Sequence, residues 1–240
     1  METKTNKSAI VRGGEFLIKD SSWEDTYIPE QINEEQQMMR NMARDFVKNE
    51  IDANLEALEK DPMLGVGVLD KAGELGLLSL SIPEEYGGLG KDITSASYVS
   101  EVLGGGHGVS VALGAHVGIG TLPILYYGTE EQKQKYLPKL ATGELKAAYC
   151  LTEPWSGSDA LGAKTKAVLS EDGKHYVMNG QKMWITNGPD ADVLVVYAKT
   201  DLAAGPHGIT AFLIEKGFKG FSIAQKLDKL GMRGSHTGEL

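Results

Sequence analysis

The spacing of hydrophobic residues along the chain changes near residue 143. Before this point, apolar side chains recur every three or four positions, which is the period of a helix that buries one face. After it, apolar residues come in short runs separated by turn residues, as is typical of β-strands. We therefore predict an α+β chain with an N-terminal extension at residues 1–30, an all-α domain at 31–146 and a β domain at 147–240.

Polar pairs mark two of the predicted helix starts. Asn33 and Gln36 have the spacing of a capping box, and the apolar spacing behind them continues to about Leu58. Thr129 and Gln132 repeat this spacing before a stretch rich in Glu and Lys. Further helices are predicted at residues 64–77 and 93–103.

The most apolar stretch of the chain covers residues 109–127. Its length is close to that of a membrane span, but it contains His116, Pro123 and several glycines. We therefore predict a buried core helix and no transmembrane segment. Gly114 and Ala115 would leave room beside this helix.

Seven runs after residue 143 are candidate strands. The separators between them, such as Asp172-Gly173 and Asn179-Gly180, are too short to hold crossover helices. We therefore predict an antiparallel sheet that closes as a β-barrel or sandwich. The runs are residues 147–151, 163–169, 174–178, 181–186, 193–199, 209–215 and 221–226.

The fourth run carries the first candidate site. Asn179-Gly180 predicts a type I′ hairpin turn before it, since both residue types tolerate positive φ. In a strand over residues 181–186, Trp184 and Thr186 would share one face at a separation of about 6–7 Å. An aromatic wall and a hydroxyl group at that separation suit a flat heteroaromatic ring such as a flavin, although ordinary sheet packing favours the same residue types.

A second polar segment lies upstream of this run. Pro154 ends an apolar run in a turn, because proline cannot extend a strand ladder. Ser156, Gly157 and Ser158 then offer hydroxyl and backbone N–H groups where a ligand can approach the backbone. Two such segments joined by one hairpin favour a ligand site over simple packing.

Composition narrows the classes of function. The net charge of −9 and the pI of about 5.1 argue against nucleic-acid binding, which requires a basic surface. Cys150 is the single cysteine; it fits a reducing compartment and, within an apolar run, a small core residue. The N-terminus lacks the pattern of a signal or transit peptide, so a cytoplasmic location is predicted. The five histidines lack metal-ligand spacing, and no metal site is predicted.

Several long sequence motifs follow one another along the chain. Residues 149–159 read Tyr-Cys-Leu-Thr-Glu-Pro-Trp-Ser-Gly-Ser-Asp, and residues 179–188 read Asn-Gly-Gln-Lys-Met-Trp-Ile-Thr-Asn-Gly. Both resemble the flavin-binding segments of the acyl-CoA dehydrogenase family. Further motifs of that family are resembled by residues 82–90, 128–140 and 229–235. Within the family, the sequence most resembles the very-long-chain and isovaleryl branches.

This resemblance implies a reaction. It is the FAD-dependent α,β-dehydrogenation of an acyl-CoA thioester to a trans-2-enoyl-CoA, in fatty-acid β-oxidation or branched-chain acyl-CoA catabolism. The electrons would pass to an electron-transferring flavoprotein, and the full-length enzyme would be a homodimer or homotetramer.

The resemblance also implies roles for individual residues. Thr186 would hydrogen-bond near the flavin N5 and Trp184 would cover one face of the ring. Thr152 would bind the pyrimidine end, and Ser158 would contact the CoA side as a substrate-binding residue. The implied cofactor-binding residues are Tyr149, Cys150, Leu151, Thr152, Gly157, Ser158, Trp184, Ile185 and Thr186.

No catalytic residue is assigned in this chain. The family's catalytic glutamate belongs to a C-terminal helical-bundle domain that is absent here, so the base is expected downstream of Leu240. Glu239 is a poor alternative, because it lies at a strand edge beyond a glycine-rich turn. Two other interpretations stay open: a flavin-dependent oxidase or monooxygenase of the same fold, and a non-catalytic fragment that acts as a binding module.

Overall fold

The computed structural model describes residues 11, 13–22, 29–61 and 63–240. Residues 1–39 and residues 40–240 form two compact units. In the first unit, short 3-10 turns occupy Gly13–Leu17 and Pro29–Gln31. Residues 1–10, 12 and 23–28 of the predicted N-terminal extension lie outside the described residues.

Helices occupy most of the described chain up to residue 142. Asn33 Oδ1 accepts a hydrogen bond from Gln36 N at 2.8 Å, and Gln36 Oε1 accepts one from Asn33 N at 3.1 Å, which confirms the first capping box. The second box, between Thr129 and Gln132, is also confirmed. The helices are α1 (Glu34–Phe46), α2 (Leu55–Lys60), α3 (Met63–Glu74), α4 (Ile93–Leu103), α5 (His107–Gly114), α6 (Leu122–Tyr127) and α7 (Glu130–Thr142).

Two of the predicted helices are interrupted. The helix expected to continue to about Leu58 changes to a π-helical turn at Val47–Ile51 and then to a short 3-10 turn. The helix expected at residues 109–127 is divided by a second π-helical turn at Ala115–Gly120. Thr121 Oγ1 donates to a carbonyl within this second turn at 2.7 Å, and such capture of a helix carbonyl by a hydroxyl is a known cause of local distortion.

The second π turn contains a fully buried histidine. His116 Nε2 donates to the Leu140 carbonyl at 3.0 Å, and His116 Nδ1 accepts from Ala147 N at 3.2 Å. Burial lowers the pKa of His116 to about 4, so the imidazole is neutral near pH 7. The stretch His107–Tyr127 is long and apolar enough to cross a membrane, but half of it is buried within the fold, as expected of a core helix.

Two sheets follow the helices. The smaller one has three strands, in the order β4 (Ile185–Thr186), β8 (Thr237–Glu239) and β7 (Gln225–Lys226). The larger one has five strands built around β5, namely β1 (Ala147–Cys150), β2 (Lys166–Leu169), β3 (Tyr176–Asn179), β5 (Val193–Lys199) and β6 (Ile209–Glu215). The bounds of β5 and β6 confirm the sequence prediction.

The larger sheet is mixed, so the prediction of a purely antiparallel sheet is wrong. β1 pairs with β5 in parallel over Ala147–Cys150, and β2 meets β5 in parallel at Lys166. The prediction assumed that consecutive strands pair. Residues 151–192 separate β1 from β5, well beyond the roughly dozen residues that a parallel crossover requires, and these residues include three strands instead of a helix.

The predicted hairpin at Asn179-Gly180 is also wrong. β3 pairs with β2 through a turn at Asp172-Gly173, where Gly173 has φ +67°, and β4 pairs with β8. Gly180 serves close packing instead, because a Cβ at this position would lie 2.2 Å from Thr165 Oγ1.

The core of the second unit lies on both faces of β1 and β5. On one face, Ala147, Val193 and Val195 pack against residues of α6 and α7 such as Ile124 and Leu137. The opposite face forms a cluster of Ala148, Cys150, Ile185, Ala191, Leu194 and Val196. Strands buried on both faces read as continuous apolar runs, which is why β5 lacks alternation.

Candidate functional site

Hydrogen bonds join the two polar segments singled out in the sequence, the upstream segment (residues 149–159) and the downstream segment (residues 181–187). Met183 N donates to the Thr152 carbonyl at 2.9 Å. Lys182 Nζ donates to the Leu151 carbonyl at 3.0 Å. The fold therefore brings together two segments that lie about 30 residues apart in sequence.

A buried ion pair fixes this arrangement. Glu153 Oε1 accepts from Lys182 Nζ at 2.9 Å and from Thr165 N at 2.9 Å. Glu153 Oε2 accepts from Trp155 Nε1 at 2.7 Å and from Lys164 N at 2.5 Å. Burial alone raises the pKa of Glu153, but these hydrogen bonds outweigh burial and lower the pKa to about 2, so the carboxylate stays ionised.

This ion pair was not predicted from the sequence. Glu153 and Lys182 both lie inside the two motifs, yet neither was given a role. Each motif contains a charged residue next to apolar residues, and this was the signal available in the sequence. Charged side chains are almost never buried unless they are paired, so two such residues are candidates for a buried ion pair.

A β-bulge displays Trp184, and the prediction of one regular strand over residues 181–186 is wrong. Lys182 and Leu240 exchange backbone hydrogen bonds of 2.8 Å in both directions, and Ile185 pairs with Gly238. Two residues of the downstream segment therefore oppose Glu239 alone, which defines a bulge. Trp184 adopts φ +62° there, a left-handed conformation that is strained for a non-glycine residue.

The bulge leaves the Trp184 side chain 59% exposed. Because the bulge breaks the strand alternation, the two-residue spacing of Trp184 and Thr186 no longer implies that their side chains share one face. Bulges of this kind occur next to active sites, where they redirect a side chain. An exposed indole on a strained residue is therefore a candidate for ligand contact.

Thr186 and Ile185 form β4. Ile185 is buried in the core, and Thr186 is half-buried and pairs with Thr237 of β8. The hydroxyl groups of Thr152, Ser158 and Thr186 make no hydrogen bond with any described residue. These three hydroxyl groups are thus available to a ligand.

The glycine of the upstream segment is open. Glu153 and Ser156 exchange backbone hydrogen bonds of 3.0 and 3.1 Å, which closes a tight turn over Pro154 and Trp155. Beyond this turn, a Cβ on Gly157 would meet no atom of the described residues within 4 Å. Within the described part of the chain, no hydrogen bond joins Gly157 or Ser158 to the downstream segment.

Of the remaining predicted residues, Tyr149 and Cys150 lie in β1, and Leu151 immediately follows this strand. The Tyr149 ring is half-buried and its centroid lies 5.1 Å from that of Tyr197. Cys150 is buried, and burial raises its pKa to about 12, which makes it an unreactive core residue. In the described ranges, no cluster of three or more His, Cys, Asp or Glu side chains is placed to hold a metal ion.

Together these groups suit a flat heteroaromatic ligand. An exposed indole can cover an aromatic ring face. Free hydroxyl groups and an open glycine backbone can meet polar atoms along the edge of such a ring. A buried ion pair holds the two segments in register with each other.

Comparison with known proteins decides the family. Residues 33–144 match the model of the acyl-CoA dehydrogenase N-terminal domain, and residues 148–240 match the model of the acyl-CoA dehydrogenase middle domain. The chain belongs to the acyl-CoA dehydrogenase family.

Individual relatives support this assignment. A probable acyl-CoA dehydrogenase of Bacillus subtilis is 48% identical over 232 residues, covering 96% of this chain and 38% of the relative. The mitochondrial isovaleryl-CoA dehydrogenase of Solanum tuberosum is 46% identical over 212 residues, 87% of this chain and 51% of the relative. The crystal structure of an acyl-CoA dehydrogenase complexed with FAD from Bacillus anthracis aligns with a TM-score of 0.89 at 47% identity, over 95% of this chain and 39% of that one. The chain thus spans about two fifths to one half of these relatives.

Proposed function

We propose that this chain forms the FAD-binding part of an enzyme that dehydrogenates acyl-CoA thioesters to trans-2-enoyl-CoA. The observation that carries the proposal is the joining of the two flavin-type motifs by the Glu153–Lys182 pair. Electrons would pass to an electron-transferring flavoprotein.

The residues present fit a flavin. The indole of Trp184 is exposed, and the hydroxyl of Thr186, two positions later, has no hydrogen-bond partner among the described residues. The Gly157 position is open to a ligand. When bound, FAD would accept the β-hydrogen of the substrate as hydride.

Each residue has a distinct proposed task. Trp184 covers one face of the ring, and Thr186 donates a hydrogen bond near N5. Thr152 and its neighbouring backbone groups hold the pyrimidine end, and Ser158 contacts the CoA side of the substrate. Tyr149, Cys150, Leu151, Gly157 and Ile185 would contribute backbone and packing around the cofactor.

No described carboxylate is assigned as the base that takes the α-proton. Glu239 lies in β8, where it accepts a hydrogen bond from Gln181. A carboxylate already hydrogen-bonded to a neighbouring side chain is poorly placed to receive a proton from a substrate.

Several broader features are part of the same proposal. The boundary between the helical and β domains at residues 146 and 147 falls between the two matched family domains. Closure of the sheets into a barrel or sandwich and a homodimeric or homotetrameric enzyme are proposed on family resemblance, and a cytoplasmic location is proposed on composition.

Flavin uptake tests the proposal directly. The chain is incubated with FAD and freed of excess cofactor, and its visible spectrum is recorded before and after acyl-CoAs of graded length are added. We expect a bound flavin whose spectrum changes with at least one acyl-CoA. A colourless protein, or a flavin spectrum indifferent to every acyl-CoA, contradicts the proposal. For any preparation that acyl-CoA reduces, rapid reoxidation in air without an electron-transferring flavoprotein would favour an oxidase.

A further inference from the structure

A second acid–base pair lies just beyond the proposed flavin contact. His236 Nδ1 is hydrogen-bonded to Asp190 Oδ2, and only 11% and 13% of the two side chains are exposed. Asp190 follows β4 by four residues, and His236 immediately precedes β8. The pair therefore connects the two strand ends that flank Thr186.

The strands in question are very short. β4 consists of Ile185 and Thr186, and its ladder with β8 has two residue pairs. Two-stranded pairings of this length are marginal on their own. The position of Thr186 thus depends on whatever closes the ladder beyond it.

Three contacts provide that closure. Asn187 N donates to the His236 carbonyl at 2.9 Å, and Asp190 N donates to the Asn187 carbonyl at 2.9 Å. The Asp190–His236 side-chain bond then completes a ring around the turn. Lys226 Nζ of β7 lies 3.9 Å from Asp190 Oδ1, so the same carboxylate also contacts β7 of the small sheet.

We infer that Asp190 and His236 are positioning residues for Thr186. They hold the Thr186 hydroxyl in place by fixing the turn that follows β4, without contacting the cofactor themselves. The inference rests on the proposed function, since Thr186 matters only if it meets a ligand. It assigns a task to two residues that neither flavin-type motif explains.

The test compares variants of the whole chain in two measurements. The first is hydrogen exchange of the Asn187 amide in the absence of FAD. His236→Ala and Asp190→Ala should each speed this exchange by about tenfold, because one hydrogen bond of the ring is lost. Exchange of the β5 amides should not change. His236→Asn keeps an N–H donor near the place of Nδ1 and should restore most of the protection.

The second measurement is the position of the flavin absorption bands and the Kd for FAD. His236→Ala should shift the bands and raise the Kd by about threefold to tenfold, and His236→Asn should restore both. The matched control is His175→Ala. It removes an exposed imidazole whose Nδ1 lies 3.6 Å from Asp172 Oδ1 at the β2–β3 turn, and it should change neither measurement.

The outcomes separate the two claims. Wild-type Asn187 exchange in both His236→Ala and Asp190→Ala overturns the inference, as does faster exchange spread through β5. Unchanged flavin bands and Kd in His236→Ala also overturn it while leaving FAD binding intact. If the wild-type chain takes up no FAD, the proposed function fails. The positioning of Thr186 for a cofactor is then overturned as well, even if the variants speed Asn187 amide exchange as expected.

Discussion

Lys182 Nζ lies 2.9 Å from Glu153 Oε1, with 5% and 0% of the two side chains exposed. Bringing two charges out of water is costly and is offset only when every polar atom finds a partner. Here both oxygens of Glu153 accept two hydrogen bonds each, and Lys182 also reaches the Leu151 carbonyl. This pair joins the two segments on which the proposed cofactor site depends.

Removing one member of the pair should be severe. Lys182→Met leaves the Glu153 carboxylate buried without its counter-charge, and we expect a loss of about 3–5 kcal/mol in the free energy of unfolding. Urea unfolding followed by circular dichroism measures this loss. Lys60→Met is the matched control, because Lys60 forms an exposed pair with Glu56 and should cost less than about 1 kcal/mol. Equal losses in the two variants would contradict the role given to the buried pair.

Stability should fall in mild acid because of His116. Its pKa is lowered from 6.5 to about 4 by burial, so between these values the unfolded chain binds a proton that the folded chain does not. The contribution of His116 is fully present above pH 6.5 and decreases toward pH 4. The slope should approach about 1.4 kcal/mol per pH unit, measured by urea unfolding at a series of pH values.

The control for this pH dependence is His116→Gln. Glutamine does not titrate, yet it offers one donor and one acceptor for the Leu140 carbonyl and the Ala147 amide. The variant should show a flatter dependence between pH 6.5 and 4 than the wild type. The same slope in both proteins would show that other groups cause the acid sensitivity.

Gly180 should tolerate no side chain. A Cβ there would lie 2.2 Å from Thr165 Oγ1 and 2.6 Å from Thr165 Cβ, so Gly180→Ala should cost about 1–3 kcal/mol of stability. Gly217→Ala is the comparison, since its Cβ would meet no atom within 4 Å in the described part of the chain, and it should stay within about 1 kcal/mol of wild type. Thermal unfolding of both variants tests this expectation, and a Gly180→Ala protein as stable as Gly217→Ala would disprove the tight contact.

The Thr186 hydroxyl should matter for the bound flavin and little for the fold. Thr186→Val should destabilise the bound flavin by about 1–3 kcal/mol, because its hydrogen-bond partner is left unsatisfied. The flavin reduction potential and the FAD affinity report this change. Thr210→Val, at an exposed position of strand β6, is the control and should leave both unchanged. If Thr186→Val also leaves both unchanged, the assignment of Thr186 is wrong.

The sequence correctly predicted the parts of the fold that depend on interactions between residues close in sequence. Both capping boxes formed because each needs residues only three positions apart. β5 and β6 were located correctly because each is one uninterrupted run, and all seven residues of β5 pair with β6. The parallel pairing of β1 with β5 was not predictable in this way, since it depends on contacts more than 40 residues apart.

The candidate site shows the same division. The two motifs were found from their residues, but the bulge at Trp184 depends on Leu240 pairing with Lys182, a contact that local pattern does not contain. The Glu153–Lys182 pair likewise spans 29 positions. Strand alternation therefore singled out Trp184 and Thr186 on the basis of a regular strand that the structure does not contain.

Absorbance titration with FAD of the wild-type chain and of Trp184→Ala tests the central claim most directly. The claim is that the displayed indole and the joined segments form the flavin site. Wild type should bind one FAD per chain with shifted flavin bands, and Trp184→Ala should bind about tenfold more weakly, because the aromatic contact is lost. Equal FAD affinity in the two proteins, or no binding by wild type, would contradict the account.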